Sequence, residues 1–212
     1  MNAADSRAWR PDVDAGQQAA FLDAIQQNPI NRTILERLPS LGLDDLWLVA
    51  GCLFQTVWNG KDGRAPVADI RDYDLFYFDD RDLSWEAEDR AIRRSAALFA
   101  DLGVTVELRN QARVHLWYER RFGHPCPRLV SSRHGIERFL VAGTCVGVRR
   151  GDGHGGLELH APYGLGDVFD GVLRPNPEVD APMLFHRKAE SYRRRWPWLT
   201  IVDGASDVPT GR

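Results

Sequence analysis

The sequence predicts an α/β (α+β) fold in which a small mixed β-sheet is flanked by helices and followed by a C-terminal α+β extension. Three observations carry that expectation. Leu46-Trp47-Leu48-Val49-Ala50 is a short apolar run that ends at Gly51-Cys52, and a second apolar segment, Leu53 to Trp58, follows at once. After a loop rich in Gly, Asp and Pro, Asp72-Tyr73-Asp74 runs directly into Leu75-Phe76-Tyr77-Phe78, which reads as a strand. A long amphipathic pattern then leads into Val104-Thr105-Val106-Glu107-Leu108, so strand, helix and strand alternate along the chain.

Taken in order, residues 1–15 are polar, carry Pro11 among several aspartates, and are expected to be flexible. Ala19, Ala20, Phe21, Ala24 and Ile25 fall at helical spacing, so a helix is expected from Gln17 to Gln27. Pro29 should end it, with Asn31 as N-cap of a second helix through Leu38, and Pro39 and Gly42 break the chain before the first strand. Gly51 stands where strand hands over to helix, a place where a missing Cβ lets backbone N–H groups approach a phosphate. Turns use glycine equally often.

Asp82 or Ser84 can cap the long helix, Glu86 and Glu88 suit its N-terminal dipole, and Gly103 terminates it. If its flanking strands are parallel, the crossover is right-handed. Asn110 to Tyr118 continues the β pattern, with Arg113, His115 and Trp117 alternating toward one side. Further on, Ser131 or Ser132 can cap a helix reaching Leu140, Val141–Arg149 and Leu157–His160 read as strands, and Pro182 to Trp196 is the last helix. The intervening Gly151-Asp152-Gly153-His154-Gly155-Gly156 lacks phosphate-loop spacing and reads as a hairpin turn. The expected organisation is a core over 16–120, the extension over 121–202 and a flexible tail over 203–212.

Composition bounds the function. A chain of 212 residues with 43% hydrophobic and 27% charged residues is an ordinary globular protein. Its formal charge of -3 removes any general attraction to nucleic acid or anionic membranes. Cys52, Cys126 and Cys145 form no Cys-x-x-Cys pair, so neither a disulfide framework nor a zinc ribbon is indicated. No segment is long and apolar enough to span a bilayer, and a cytoplasmic location is expected. The excess of Arg over Lys fits a GC-rich bacterial genome.

The chemistry concentrates in the acids. Strand side chains repeat every two residues, which puts Asp72 and Asp74 on one face about 6.5–7 Å apart at Cα, two rises of about 3.3 Å. Two carboxylates so placed can converge on a divalent cation that also takes substrate phosphates. Glu107 shares a face with Thr105, and a third acid joins the pair if the two strands are neighbours. Strand-edge aspartates also cap helices or pair with arginines, and Arg71 is adjacent. Lys61, Arg64 and Arg71 precede the acids and either neutralise phosphate or are solvated loop charges. Arg187, Lys188, Tyr192, Arg193, Arg194, Arg195, Trp196 and Trp198 form a basic–aromatic cluster of the kind that meets a base or single-stranded RNA, or a solvated helix end.

A strand ending in Gly-Cys, a helix, an Asp-x-Asp strand, a second helix and a strand with a third acid resemble the nucleotidyltransferase superfamily typified by DNA polymerase beta. DYDLFYFD, EAED, NQARVHLWY, APYGLGD and LRPNP resemble, more narrowly, a bacterial nucleotidyltransferase-like family over Trp47 to Trp198. The resemblance implies metal-dependent transfer of a nucleotidyl group from an NTP to an acceptor that is a small molecule, a protein or RNA. It implies that Asp72, Asp74 and Glu107 hold Mg²⁺ (or Mn²⁺) and act in catalysis, and that Gly51, Cys52 and Arg71 meet the triphosphate. Cys52 departs from the usual Gly or Ser, and the gap from Gly51 to Asp72 is long. Those departures keep open a catalytically inactive nucleotide-binding or toxin–antitoxin-like module. A nucleotide-sugar glycosyltransferase also uses Asp-x-Asp, but there the acids follow an apolar strand, whereas here they precede one.

Overall fold

The computed structural model describes residues 13–123 and 126–202. The flexible N-terminus expected over 1–15 lies outside the described residues up to residue 12, and the expected tail, 203–212, lies wholly outside them. Helix α1 (Ala15–Ile25) buries Phe21, Leu22 and Ile25 and is capped by Asp14, whose carboxylate accepts from the Gln17 N–H at 3.0 Å. Helix α2 (Pro29–Arg37) starts earlier than expected. Asn28, not Asn31, is its N-cap, accepting from Ile30 N–H at 2.9 Å, and Pro29 occupies the first helical position, where a missing N–H costs nothing. Asn31 is instead fully buried and donates to the carbonyls of Ile25 and Cys52, each at 3.1 Å.

The central sheet has five strands: β1 (Trp47–Val49), β2 (Asp72–Tyr77), β3 (Thr105–Asn110), β4 (Gly147–Arg150) and β5 (Leu157–His160), in the order β3-β2-β1-β4-β5. The β2–β3 pair is parallel and the other neighbours are antiparallel. Helix α3 (Gly51–Lys61) follows β1 directly. Helix α4 (Trp85–Leu98), capped by Ser84, carries the chain from β2 to the parallel β3. Gly103, at φ 65°, supplies the left-handed residue that closes this crossover.

Period-two alternation divides β2 cleanly. Tyr73, Leu75 and Tyr77 are buried in the main core with residues of α1, α2 and α3, while Asp72, Asp74 and Phe76 point the other way and stay partly open. The segment expected to extend β3 does not. Residues Gln111–Leu116 form a 3₁₀ turn and Tyr118–Phe122 a short helix, α5. Asn110 is the cause, because its side chain accepts from the Ala112 N–H at 3.1 Å and so offers the backbone a turn in place of a ladder.

Two contacts carry later elements over the open face. Helix α6 (Ser132–Ile136) is joined to the start of β1 by Asp45, whose carboxylate accepts from Ser132 N–H at 2.6 Å and Trp47 Nε1 at 2.7 Å. After α7 (Gly166–Asp170) and β6 (Val172–Leu173) comes α8 (Pro182–Arg193), and β7 (Thr200–Ile201) pairs with β6. An aromatic cluster packs the end of α8 on α3. Trp58 meets Phe54, Tyr192 and Trp196 at centroid distances of 4.7, 5.4 and 5.3 Å, and Trp196 Nε1 donates to Asn59 at 3.0 Å.

Candidate active site

The site begins at the corner between β1 and α3. Ala50 turns it with φ 61° and ψ -128°, a conformation L side chains rarely adopt, and Gly51 is already the first helical residue. Cys52 is fully buried and its thiol reaches the Val49 carbonyl at 3.5 Å, so the sulfur faces inward. Burial, reinforced by the charges of Asp74 and Asp72, pushes that thiol well above its ordinary range.

Register brings the acids together. Asp74 pairs with Val49 across the antiparallel ladder and with Glu107 across the parallel one. Glu107 therefore stands beside Asp74 on the same face, as the strand periods require. Among the described residues, neither Asp72 nor Asp74 has a hydrogen bond or ion pair through its carboxylate, whereas Glu107 takes Arg109 at 3.1 Å. Desolvation, then the like charges of Asp72 and Glu107, push Asp74 up to about 7, against the opposing pull of Lys188 and Arg109. No set of three His, Cys, Asp or Glu side chains among the described residues closes into a ready-made metal centre. The donor set nonetheless fits a hard divalent ion. It consists of carboxylate oxygens, and its charge at Asp74 is uncompensated by any fixed partner.

Opposite the acids stands α8. Lys188 opens into the cleft, yet protein surrounds it closely enough that desolvation, with Arg195 nearby, lowers its ammonium, while Asp72 and Asp74 act to raise it. Arg195 is placed by hydrogen bonds to Gln55 Oε1 at 3.2 Å and the Asp69 carbonyl at 3.3 Å, and it lies over the Trp196 ring. Arg71 is exposed, and its charge acts on both Lys188 and Arg195. A cleft of about 790 Å³ opens beside these groups, with Asp74, Phe76 and Arg109 among its lining and Lys188 and Tyr192 on the α8 side.

Other sequence candidates lie elsewhere. Lys61 donates to the Phe169 carbonyl at 2.6 Å beneath Trp198, and Arg64 pairs with Asp69 and donates to the Arg195 carbonyl at 3.3 Å. Both are structural contacts. Arg113 is buried against Glu88 and donates to the Leu83 carbonyl at 3.0 Å, so the expected alternation of Arg113, His115 and Trp117 along a cleft is absent, and Trp117 alone lines it. Lys188 is the residue that sequence reasoning left inside a general basic cluster. Its signal was rarity, since Lys61 is the chain's other lysine.

A family model described as nucleotidyltransferase matches residues 36–201. Among solved structures, the chain is similar to one determined by NMR and described as revealing a CCA-adding enzyme head domain. The two share 26% identity over 86% of this chain and 94% of that one, with a TM-score of 0.70. No curated protein matches the sequence. The match runs from α2 through the acid-bearing strands to the α8 wall that faces them, so it covers everything the cleft is built from, and the chain belongs to the nucleotidyltransferase family.

Proposed function

We propose that the protein transfers a nucleotidyl group from an NTP to an acceptor hydroxyl, with Asp72 and Asp74 holding Mg²⁺ (or Mn²⁺) and Glu107 as the third carboxylate. The observation that carries this reading is Asp74, an unpartnered carboxylate beside two further acids, facing a lysine across an open cleft. Desolvation, then the like charges of Asp72 and Glu107, make an ionised Asp74 costly, and a bound cation would offset that cost. When bound, the ion would supply charge neutralisation at the transferring phosphate.

The remaining work falls to the chain. The first-turn N–H groups of α3, at Gly51 and Cys52, together with Arg71, Lys188 and Arg195, form the positive side that receives a triphosphate. The acceptor oxygen attacks the α-phosphorus, the bond to the β-phosphate oxygen breaks, and pyrophosphate leaves toward those cations. The acceptor proton passes to the Glu107 carboxylate, and Arg109 offsets the charge that remains there before that transfer. Incubation with α-labelled NTP, Mg²⁺ and a cell extract tests the reading. Transfer by wild type should fall at least about 10²-fold in Asp72→Ala and Asp74→Ala, the scale of losing one charge-stabilising group.

The long gap from Gly51 to Asp72, the other departure from the superfamily pattern, favours a second reading, an inactive nucleotide-binding module. Thermal stabilisation by NTP and Mg²⁺ with no label transferred would select it.

A further inference from the structure

The cleft that Asp74 lines is also lined by Arg138, a cation to which the donor triphosphate assigns no role. Asp74 feels Asp72, Glu107, Lys188 and Arg109, whereas the charge of Arg138 acts on Tyr118 and Cys126. Arg138 lines the same cleft as Asp74, is only partly exposed, and has no carboxylate partner among the described residues. Trp117, Tyr118 and Phe139 line the cleft around it, and Phe139 also packs on Phe76 of β2 at 5.7 Å between centroids.

Of the cations that line the cleft, Arg109 holds Glu107 and Lys188 faces Asp72 and Asp74, which leaves Arg138 and Arg187, with Asp180 also in the lining. Triphosphate is provided for by Arg71, Lys188, Arg195 and the start of α3. The ribose and base of an NTP are neutral, so they offer no anionic group to the half-buried Arg138 guanidinium, which has no ion pair among the described residues. A cation with no acid of its own, set among aromatic rings, fits a carboxylate or phosphate carried on an apolar or aromatic body. The whole cleft, which takes donor and acceptor together, is about 790 Å³, within the ~300–1,000 Å³ range of small-molecule sites. Many of the arginines that a long polyanion would need are already paired. Outside the cleft, Arg37 pairs with Asp101, Arg81 with Asp44 and Asp79, Arg93 with Asp89, and both Arg133 and Arg149 with Glu158. The chain's net charge is -3.

We propose that the acceptor is a small hydroxylated molecule bearing a carboxylate or phosphate on an aromatic or apolar body, and that Arg138 binds its anionic group. This rests on the nucleotidyl-transfer reading above. The acceptor hydroxyl oxygen forms the new bond to the α-phosphorus, its proton goes to Glu107 and pyrophosphate departs, so no further reactant is needed.

The test uses the full chain with α-labelled NTP, Mg²⁺ and a panel of acceptors: 4-hydroxyphenylacetate, tyrosine, nucleoside 5′-monophosphates, the neutral 4-hydroxyphenylacetamide, and an RNA oligonucleotide. Donor binding is followed separately by NTP-dependent thermal shift. An anionic small molecule should be labelled at least tenfold more efficiently than its neutral counterpart. Arg138→Met should raise the acceptor KM at least tenfold, bring the acid down to the neutral analogue, and leave the donor-dependent shift unchanged. Arg138→Lys should recover part of the loss. Labelling of RNA in preference to the small acids, equal use of acid and amide, or loss of the donor shift in Arg138→Met overturns the proposal. A donor shift with no panel member labelled overturns this acceptor class alone. Absence of both shift and label overturns the nucleotidyl-transfer reading beneath it.

Discussion

Ala50 holds φ 61° and ψ -128° at the turn where β1 becomes α3, a conformation that costs a residue with a Cβ roughly 1–3 kcal/mol. Its N–H nevertheless donates to the Val146 carbonyl at 3.1 Å and its carbonyl accepts from Leu53 at 3.0 Å, so the surrounding backbone over-determines the corner. Glycine adopts that conformation freely but gives up about 0.5–1 kcal/mol of chain entropy on folding. Ala50→Gly should therefore stabilise the protein by about 1 kcal/mol, a rise in Tm of about 2–4 °C for a domain of this size, read by thermal unfolding. Ala50→Val, with a branched Cβ in the same place, should destabilise it. The sequence placed the glycine's freedom at Gly51, one residue late, because a strained alanine leaves no compositional trace. Cys52 was legible as a departure from the family pattern but not as a harmless one. Its sulfur is buried and turns toward the Val49 carbonyl, which residue identity alone does not reveal.

At the scale of elements, Asn110 joins the ends of two strands. Its carboxamide accepts from Asp79 N–H and Ala112 N–H, each at 3.1 Å, and donates to the Asp79 carbonyl at 2.7 Å, while its own N–H donates to Glu88 at 2.9 Å. Asn110→Ala keeps only the last of these and leaves buried backbone groups unpaired, a loss of about 2–4 kcal/mol measurable by denaturant unfolding. The α4 crossover and the strands on either side of it were readable from the 2.0 and 3.6 periods, whereas their being parallel neighbours was only a condition there and is supplied by the β2–β3 ladder. The 3₁₀ turn after β3 was not, because residues 111–118 alternate like a strand and only the Asn110 side chain diverts them. Helix α8 was legible as a helix, but its docking depends on contacts across more than a hundred residues, such as Trp196 with Asn59. That long-range packing places Lys188 opposite the acids. Lys188→Met should raise the KM for NTP by about 10–100-fold, the loss of one charge-assisted contact, with a smaller effect on kcat.

For the molecule as a whole, Asp74 makes stability and metal binding depend on pH in opposite directions. Its carboxyl is raised to about 7 in the folded chain, while in the unfolded chain it titrates near the ordinary value of about 4. Between those limits the folded state holds a proton that the unfolded state has released. The contribution of Asp74 to stability therefore falls as pH rises from about 4 to about 7, and levels off above. A divalent cation needs the ionised form, so its binding expels that proton and strengthens with pH over the same window. Asp74→Asn cannot ionise and keeps a similar shape. In the absence of metal it should be more stable than wild type at pH 7.5, by about 1–3 kcal/mol, and the gap should close toward pH 4. In wild type the Mg²⁺- or Mn²⁺-dependent rise in Tm should grow from pH 5 to pH 7.5, and in Asp74→Asn it should be small at every pH. If wild type and Asp74→Asn instead show parallel stability profiles from pH 4 to 8, the carboxylate is compensated within the chain and the argument for a cation beside it loses its foundation.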